Sequence, residues 1–113
     1  MESLVEINKE RIRLRDKLQQ LSPGLMKSVT GQVDMVYKEG ALSTKVKRLI
    51  ALGIAMRATC TNCLVAQTQR ALEAGATIDE ILETCAVEVS MSGTTGVAES
   101  LRVVKFLEEL GKV

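Results

Sequence analysis

The chain has 113 residues, of which 46% are apolar and 26% are charged, and its formal net charge is +1. This length and balance are typical of one folded domain and exclude a disordered chain. The small net charge, with Tyr37 and Phe106 as the only aromatic residues, excludes the basic surface and stacking platforms on which nucleic-acid binding depends. We therefore expect a single domain, residues 1–113, that binds no nucleic acid.

The N-terminus and the longest apolar run indicate where the protein resides. The opening sequence MESLVEINKERIRLRDK is charged almost from its start and lacks the apolar core of a signal peptide. The longest apolar run, Leu49 to Met56, is too short to cross a bilayer. We therefore expect a cytoplasmic protein without a membrane association, in a compartment that keeps thiols reduced.

Apolar residues recur at helical spacing along the chain, which predicts an all-α fold. A capping-box pattern at Ser3 and Glu6 opens the first helix. The apolar positions of that helix are Leu4, Ile7, Leu14, Leu18 and Leu21. Ser22-Pro23-Gly24 then breaks the chain ahead of a second helix that ends at Gly40. The apolar face of the second helix consists of Met26, Val29, Val33 and Val36.

The second half of the chain predicts the remaining helices. A third helix starts after Ser43 or Thr44, and its second half is apolar on every side, which predicts a buried central position. The fourth begins near Cys60 and closes at Gly75, and the TIDE sequence starting at Thr77 caps the fifth. The sequence SGTTG then separates the fifth helix from the last. We expect the last helix to bury Val97, Leu101, Val104 and Leu107, which gives about six helices in all.

Cys60 and Cys63 form a CxxC pair at the predicted start of the fourth helix. The free N–H groups and the dipole of a helix N-terminus stabilise a thiolate, and this spacing lets two thiols cycle with a disulfide. Two alternatives are half of a zinc site, completed between subunits because the chain has no histidine, and two small residues packed in the interior. Cys85 lies on an apolar stripe, and we expect it to be buried.

The segment ALSTKVKRLIALGIAMRATCTNCLVAQTQRALEAGATIDEILE, Ala41 to Glu83, resembles the core of the alkyl hydroperoxidase D-like, or carboxymuconolactone decarboxylase, family. The resemblance continues more loosely through MSGTTGVAESL. It implies a helical bundle that assembles into trimers or hexamers. In members with a CxxC it implies peroxiredoxin-like or disulfide-reducing activity without a cofactor or metal, in which Cys63 attacks and Cys60 resolves. The decarboxylase branch generally lacks the CxxC, so the resemblance disfavours decarboxylation of a muconolactone.

This chain departs from the family pattern at two positions. Redox-active members carry a glutamate where this chain has Arg48 and a histidine where it has Gln67, and those residues relay protons. Neither a guanidinium nor an amide can do so near neutral pH. Gln67, one turn beyond Cys63, could donate to a thiolate, and Arg48 would lower a thiol pKa if it faced the pair. Glu88, inside the apolar run CAVEVSM, is the one acid that could replace the relay.

These observations predict a homo-oligomeric antioxidant thiol–disulfide oxidoreductase whose partner is a redox protein or a small thiol. Without the relay, we expect disulfide exchange to proceed and peroxide reduction to be poor. The alternative from a different class is a non-catalytic helical oligomer that serves as a binding or scaffold module.

Overall fold

Six α-helices and no β-strands form the fold in the computed structural model, which describes all 113 residues. The helices are α1 Leu4–Leu21, α2 Pro23–Val36, α3 Thr44–Arg57, α4 Thr61–Glu73, α5 Ile78–Ser92 and α6 Thr94–Glu109. The prediction of an all-α fold with about six helices is confirmed. None of the helices combines the length and the apolar character that crossing a membrane requires.

Side-chain caps fix where several helices begin. The Ser3 hydroxyl accepts a hydrogen bond from the backbone N–H of Glu6 at the start of α1. Thr77 and Glu80 form the predicted reciprocal capping box at the start of α5. Pro23 occupies the first turn of α2, where no intrahelical donor is needed. These local signals explain why α1, α2 and α5 start where the sequence predicts, whereas α2 ends at Val36 and not at Gly40, and α6 starts at Thr94, inside the expected loop.

Three helices end in the same geometry, a Schellman motif in which a residue with positive φ follows the last turn. At the ends of α4 and α6 this residue is Gly75 or Gly111. At the end of α3 it is Thr59, with φ 53°, and the N–H groups of Thr59 and Cys60 donate to carbonyls of the last turn. A β-branched residue in this region is strained by roughly 1–2 kcal/mol. The strained turn directly precedes the cysteine pair.

The hydrophobic core lies where α3, α4, α5 and α6 meet, and the start of α1 closes it. Its members are fully or almost fully buried. They are Leu4, Leu52, Met56, Leu64, Val65, Ala71, Ala76, Ile81, Cys85, Val103, Phe106 and Leu107. The predicted burial of Cys85 is thus confirmed. Since α4 packs against both α1 and α3, the core holds the start of α4, and with it the CxxC, in a fixed position.

Helix α6 buries a different face from the one predicted. Leu107 is buried as expected, but Val97, Leu101 and Val104 are exposed. The residues buried instead are Gly96, Glu99, Val103, Phe106 and Leu107. The reason is the connection to α5, which is a single residue, Gly93, and not the five-residue loop expected at SGTTG. This short connection fixes the rotation at which α6 meets α5.

Within the single chain, helix α3 is not buried on every side; burial at the centre of an assembly, the other position that its apolar pattern predicts, stays a prediction. Leu52 and Met56 face the core, but Ile54 is 65% exposed. Ile54 and Met91 of α5, which is 81% exposed, line an open apolar groove of about 720 Å³ between the two helices. The apolar face predicted for α2 is likewise largely exposed, and of its members only Met26 is buried. The chain therefore presents extensive apolar surface.

Candidate redox site

The CxxC pair lies at the N-terminus of α4. Cys60 is the N-cap residue and Cys63 lies in the first turn, because the Schellman turn at Thr59 redirects the chain just before them. The two sulfur atoms are bonded as a disulfide, and the Cα atoms are 5.2 Å apart. This separation lies within the range of about 4.4–6.8 Å that disulfides span.

The two sulfurs have different environments. Cys60 is half-buried, and its sulfur accepts a hydrogen bond of 3.2 Å from the backbone N–H of Cys63, as an N-cap oxygen would. Cys63 is exposed. In the reduced state the N–H and the helix dipole therefore stabilise a thiolate on Cys60. Of the two residues, Cys63 is thus the more open to solvent.

Arg48 and Gln67, which replace the family's relay residues, are in contact with each other. The Nη1 of Arg48 donates a hydrogen bond of 3.2 Å to the Oε1 of Gln67. Gln67 follows Cys63 by four residues and therefore lies one turn away on the same face of α4. Packing of α3 against α4 thus brings Arg48 to Gln67, one turn beyond Cys63. Neither side chain can take up and release protons near neutral pH.

Tyr37 completes this cluster. The guanidinium carbon of Arg48 lies 3.5 Å from the centre of the Tyr37 ring, a cation–π contact. Burial lowers the pKa of Arg48, and the charge of Arg70 acts in the same direction, whereas Tyr37 and Glu73 oppose the shift. No carboxylate forms an ion pair with Arg48.

Glu88 is buried in α5, at the contact with α6. It is 5% exposed, and its Oε1 accepts a hydrogen bond from the Ser92 hydroxyl of the same helix. Its Oε2 has no hydrogen-bond partner and lies against Gly96 of α6. Glu88 also lines the groove between α3 and α5, but none of its hydrogen bonds reaches Cys60 or Cys63. The structure therefore places this acid at the α5–α6 contact.

Cys85 is separate from the redox pair. It is buried and free, and burial raises the pKa of its thiol, as does the nearby charge of Glu88. A hydrogen bond with Ser100 opposes that shift. Within the chain, no three side chains of the kinds that bind metals come together.

Sequence reasoning placed Thr59 beside the pair as a capping or donor group, but it did not identify the positive φ of Thr59 or the presence of Tyr37. Tyr37 lies eleven positions before Arg48 and follows the last residue of α2, so only the tertiary arrangement brings its ring under the guanidinium. The sequence signal for Thr59 is its place between a helix end and the CxxC, where glycine usually stands.

Comparison with known proteins identifies the family. The sequence profile of the carboxymuconolactone decarboxylase family matches residues 23–106, which is most of the chain. The chain is also 28% identical over 107 residues to an uncharacterized protein of Cupriavidus necator, covering 95% of this chain and 91% of that protein. Uncharacterized protein 4 in the cox locus of Paracoccus denitrificans is 29% identical over 76 residues, covering 67% and 68% of the two chains.

Solved structures show the same fold. The apo structure of a carboxymuconolactone decarboxylase family protein from Legionella pneumophila superposes with a TM-score of 0.89 at 28% identity, covering 96% of this chain and 97% of that chain. A second family protein, from Thermotoga maritima, has a TM-score of 0.75 at 26% identity and covers 99% and 97%. That protein is described as having a possible involvement in the antioxidative response. The present chain belongs to the carboxymuconolactone decarboxylase family.

Proposed function

We propose that this protein is a thiol–disulfide oxidoreductase in which Cys60 and Cys63 are the catalytic residues. The observation that carries the proposal is the asymmetry of the pair: Cys63 is an exposed residue, whereas Cys60 is half-buried and its sulfur caps the N-terminus of α4. Such an arrangement gives one sulfur that reactants can reach and one good leaving group. The antioxidative role suggested for the Thermotoga maritima protein supports a similar role here.

The reaction follows from this asymmetry. A reductant thiolate attacks the sulfur of Cys63, a new S–S bond forms, and the Cys60–Cys63 bond breaks with Cys60 leaving as a thiolate that the Cys63 N–H stabilises. A second reductant thiolate then attacks the reductant sulfur of this mixed disulfide and releases Cys63 as a thiolate. Each protein thiolate takes up a proton from water. Two reductant thiols are oxidised to one disulfide, and the protein disulfide is reduced to two thiols.

The reduced protein runs the same steps in reverse on its target. Cys63 attacks a target disulfide, and the Cys60 thiolate resolves the mixed disulfide. No protein group need donate a proton, because the leaving group is a thiolate. Peroxide reduction differs, since its leaving oxygen benefits from a general acid. The contact between Arg48 and Gln67, neither of which titrates near neutral pH, therefore favours disulfide exchange over peroxide reduction.

The first experiment is a redox titration of the Cys60–Cys63 pair in thiol–disulfide buffers, with the free thiols trapped and counted. We expect a two-electron midpoint between about −120 and −270 mV, the range of dithiol oxidoreductases. The variant Cys85→Ser is the control and should have the same midpoint, because Cys85 is buried away from the pair. A pair that stays reduced at every potential would contradict the proposal and favour the non-catalytic scaffold.

A second experiment tests the preference for disulfides. The double variant Arg48→Glu with Gln67→His restores the pair of residues found in redox-active relatives. Because general acid–base catalysis contributes roughly 100-fold or more, peroxide reduction should increase by about that factor in the variant. The single variants are the controls and should gain little. Fast peroxide turnover by the wild-type protein at neutral pH would be incompatible with the preference.

We further propose that residues 1–113 form a single domain that self-associates. Helix α1 packs against α2, α4 and α6, whereas α2 packs chiefly against α1 and leaves apolar residues exposed. The groove between α3 and α5 adds exposed Ile54 and Met91, and contiguous apolar surface of this kind marks protein–protein contacts. Light scattering should show a trimer or hexamer. Met91→Glu should weaken it, whereas Val113→Glu, at an equally apolar exposed position outside the groove, should not.

A further inference from the structure

We infer that Arg48 and Gln67 form a docking site for the carboxylate of a small anionic thiol, or of its disulfide, beside Cys63. The inference rests on the proposed function and specifies the class of its redox partner. The family pattern has an acid and a histidine at these positions, so the character of the site has changed from proton transfer to a fixed positive charge.

The guanidinium of Arg48 has unused donors. Only its Nη1 donates a hydrogen bond within the chain, to Gln67, and no carboxylate pairs with it. Tyr37 covers one face of the group, but a ring face leaves the N–H groups at the edge free. Arginine presents these N–H groups in a planar fork that matches a carboxylate. A half-buried cation without a counter-ion is thus available to an anion from outside the chain.

Gln67 is turned to act as a donor as well. A guanidinium has only donors, so the Gln67 amide must present its oxygen to Arg48, and this leaves the amide N–H₂ group for another partner. No side chain or backbone carbonyl of the protein accepts from that group. The two residues therefore offer donors only, which suits an acceptor-only ligand such as a carboxylate.

The surrounding charges reinforce this preference. Glu73 is the acidic residue whose charge raises the pKa of Arg48, and its carboxylate already accepts hydrogen bonds from Arg70 and Gln69. An anion at this position would not meet an uncompensated negative charge.

The distance to the thiols fits a small molecule. Residues one turn apart on a helix have Cβ atoms about 5–6 Å apart, so a group bound at Gln67 lies a few bonds from the sulfur of Cys63. A thiol that carries its carboxylate two or three carbons from sulfur can hold both contacts while its sulfur attacks Cys63. The guanidinium lies half-buried between Tyr37 and Gln67, which favours a slender ligand over a protein surface.

Three thiols with the same two-methylene spacer test this inference: 3-mercaptopropionate, 2-mercaptoethanol and cysteamine, which carry a negative, neutral or positive end group. The quantity measured is the rate constant for reduction of the oxidised protein, expressed per thiolate. Loss of one hydrogen bond to a charged group corresponds to about tenfold, so Arg48→Gln should slow 3-mercaptopropionate by about that factor. The rate with 2-mercaptoethanol should stay unchanged, and the rate with cysteamine should rise.

Arg57→Gln is the matched control, since it removes the same charge from the same helix at an exposed residue that contacts Ser92. It should leave the ratio of the three rates unchanged. Arg48→Lys keeps the charge without the planar fork, and it should retain part of the preference for 3-mercaptopropionate. This variant tests the docking site if Arg48→Gln does not fold. An equal decrease for all three thiols in Arg48→Gln, or no decrease, would overturn the docking site while leaving the oxidoreductase intact. If no thiol reduces the wild-type protein, the proposed function itself fails.

Discussion

Replacement of Gly96 by alanine tests the contact that sets the orientation of α6. A Cβ at this position would lie 2.5 Å from the Oε2 of Glu88, 2.8 Å from the Cα of Val89 and 3.1 Å from the carbonyl oxygen of Glu88. The carboxylate is the end of a flexible side chain and could move aside. The Cα of Val89 belongs to the backbone of α5, so relief of that contact requires α5 and α6 to move apart.

Two effects oppose each other in Gly96→Ala. Overpacking of a close contact costs typically 1–3 kcal/mol. Alanine, on the other hand, is favoured over glycine in a helix by about 0.8–1.0 kcal/mol. Because a backbone atom is among those that must shift, we expect the steric term to dominate. The net loss of unfolding free energy should be up to about 2 kcal/mol, or a decrease in Tm of up to about 8 °C for a chain of this length.

Gly31→Ala provides a control with the opposite sign. Gly31 lies within α2, and a Cβ there would have no atom within 4 Å. Only the higher helix propensity of alanine remains, so the free energy of unfolding of the variant should rise by up to about 1 kcal/mol. Urea unfolding of both variants and the wild type, followed by circular dichroism at one protein concentration, gives the comparison. A Gly96→Ala variant as stable as Gly31→Ala would refute the close α5–α6 contact.

Three further predictions follow from other parts of the structure. Iodoacetamide should label two thiols of the reduced, folded protein and a third only after unfolding, because burial shields Cys85 and raises its pKa; mass spectrometry counts the labels. Thr59→Gly should raise the unfolding free energy by about 0.5–1 kcal/mol, since relief of the positive φ exceeds the entropy cost of glycine; a loss of stability in urea unfolding would contradict the strain. The Ser3 hydroxyl, with the Leu4 N–H, holds the pKa of Glu109 below its ordinary value. This stabilisation is therefore complete above about pH 4.3 and is lost as the pH falls through the lowered pKa, so the Tm of wild type should exceed that of Glu109→Gln at pH 6 and converge with it in acid.

Local sequence signals account for most of the fold. The starts of α1, α2 and α5 depend on the local residues Ser3, Pro23 and Thr77, which act on backbone groups a few positions away. The sequence alone therefore predicts where these three helices begin. The buried face of α6 depends instead on a one-residue connection at Gly93 and on the contact at Gly96. Periodicity detects an apolar stripe but cannot tell whether the stripe faces the core or remains exposed, and on α6 the apolar Leu101 is exposed.

The candidate site likewise combines features that the sequence predicts with features that only the packing of the helices creates. The CxxC at a helix start was visible as a motif, because Cys60 and Cys63 interact within one turn. The contact between Arg48 and Gln67 could not be predicted from the sequence, because nineteen positions separate the two residues and only the packing of α3 on α4 brings them together. The sequence also left open whether Glu88, inside an apolar run, is buried or faces solvent, and the structure buries it against Gly96 of α6.

The paired replacement at Arg48 and Gln67 also changes how the site should respond to pH. A glutamate–histidine relay titrates near neutral pH, so its effect on a thiol depends on its own protonation state. A guanidinium stays charged across this range even though burial lowers the pKa of Arg48, and an amide does not titrate at all. The ionisation of the reduced pair is then governed by the thiols themselves and by the α4 N-terminus. The proposed site would therefore lack acid catalysis of oxygen leaving groups and would keep its preference for anions across this pH range, as exchange with an anionic thiol requires.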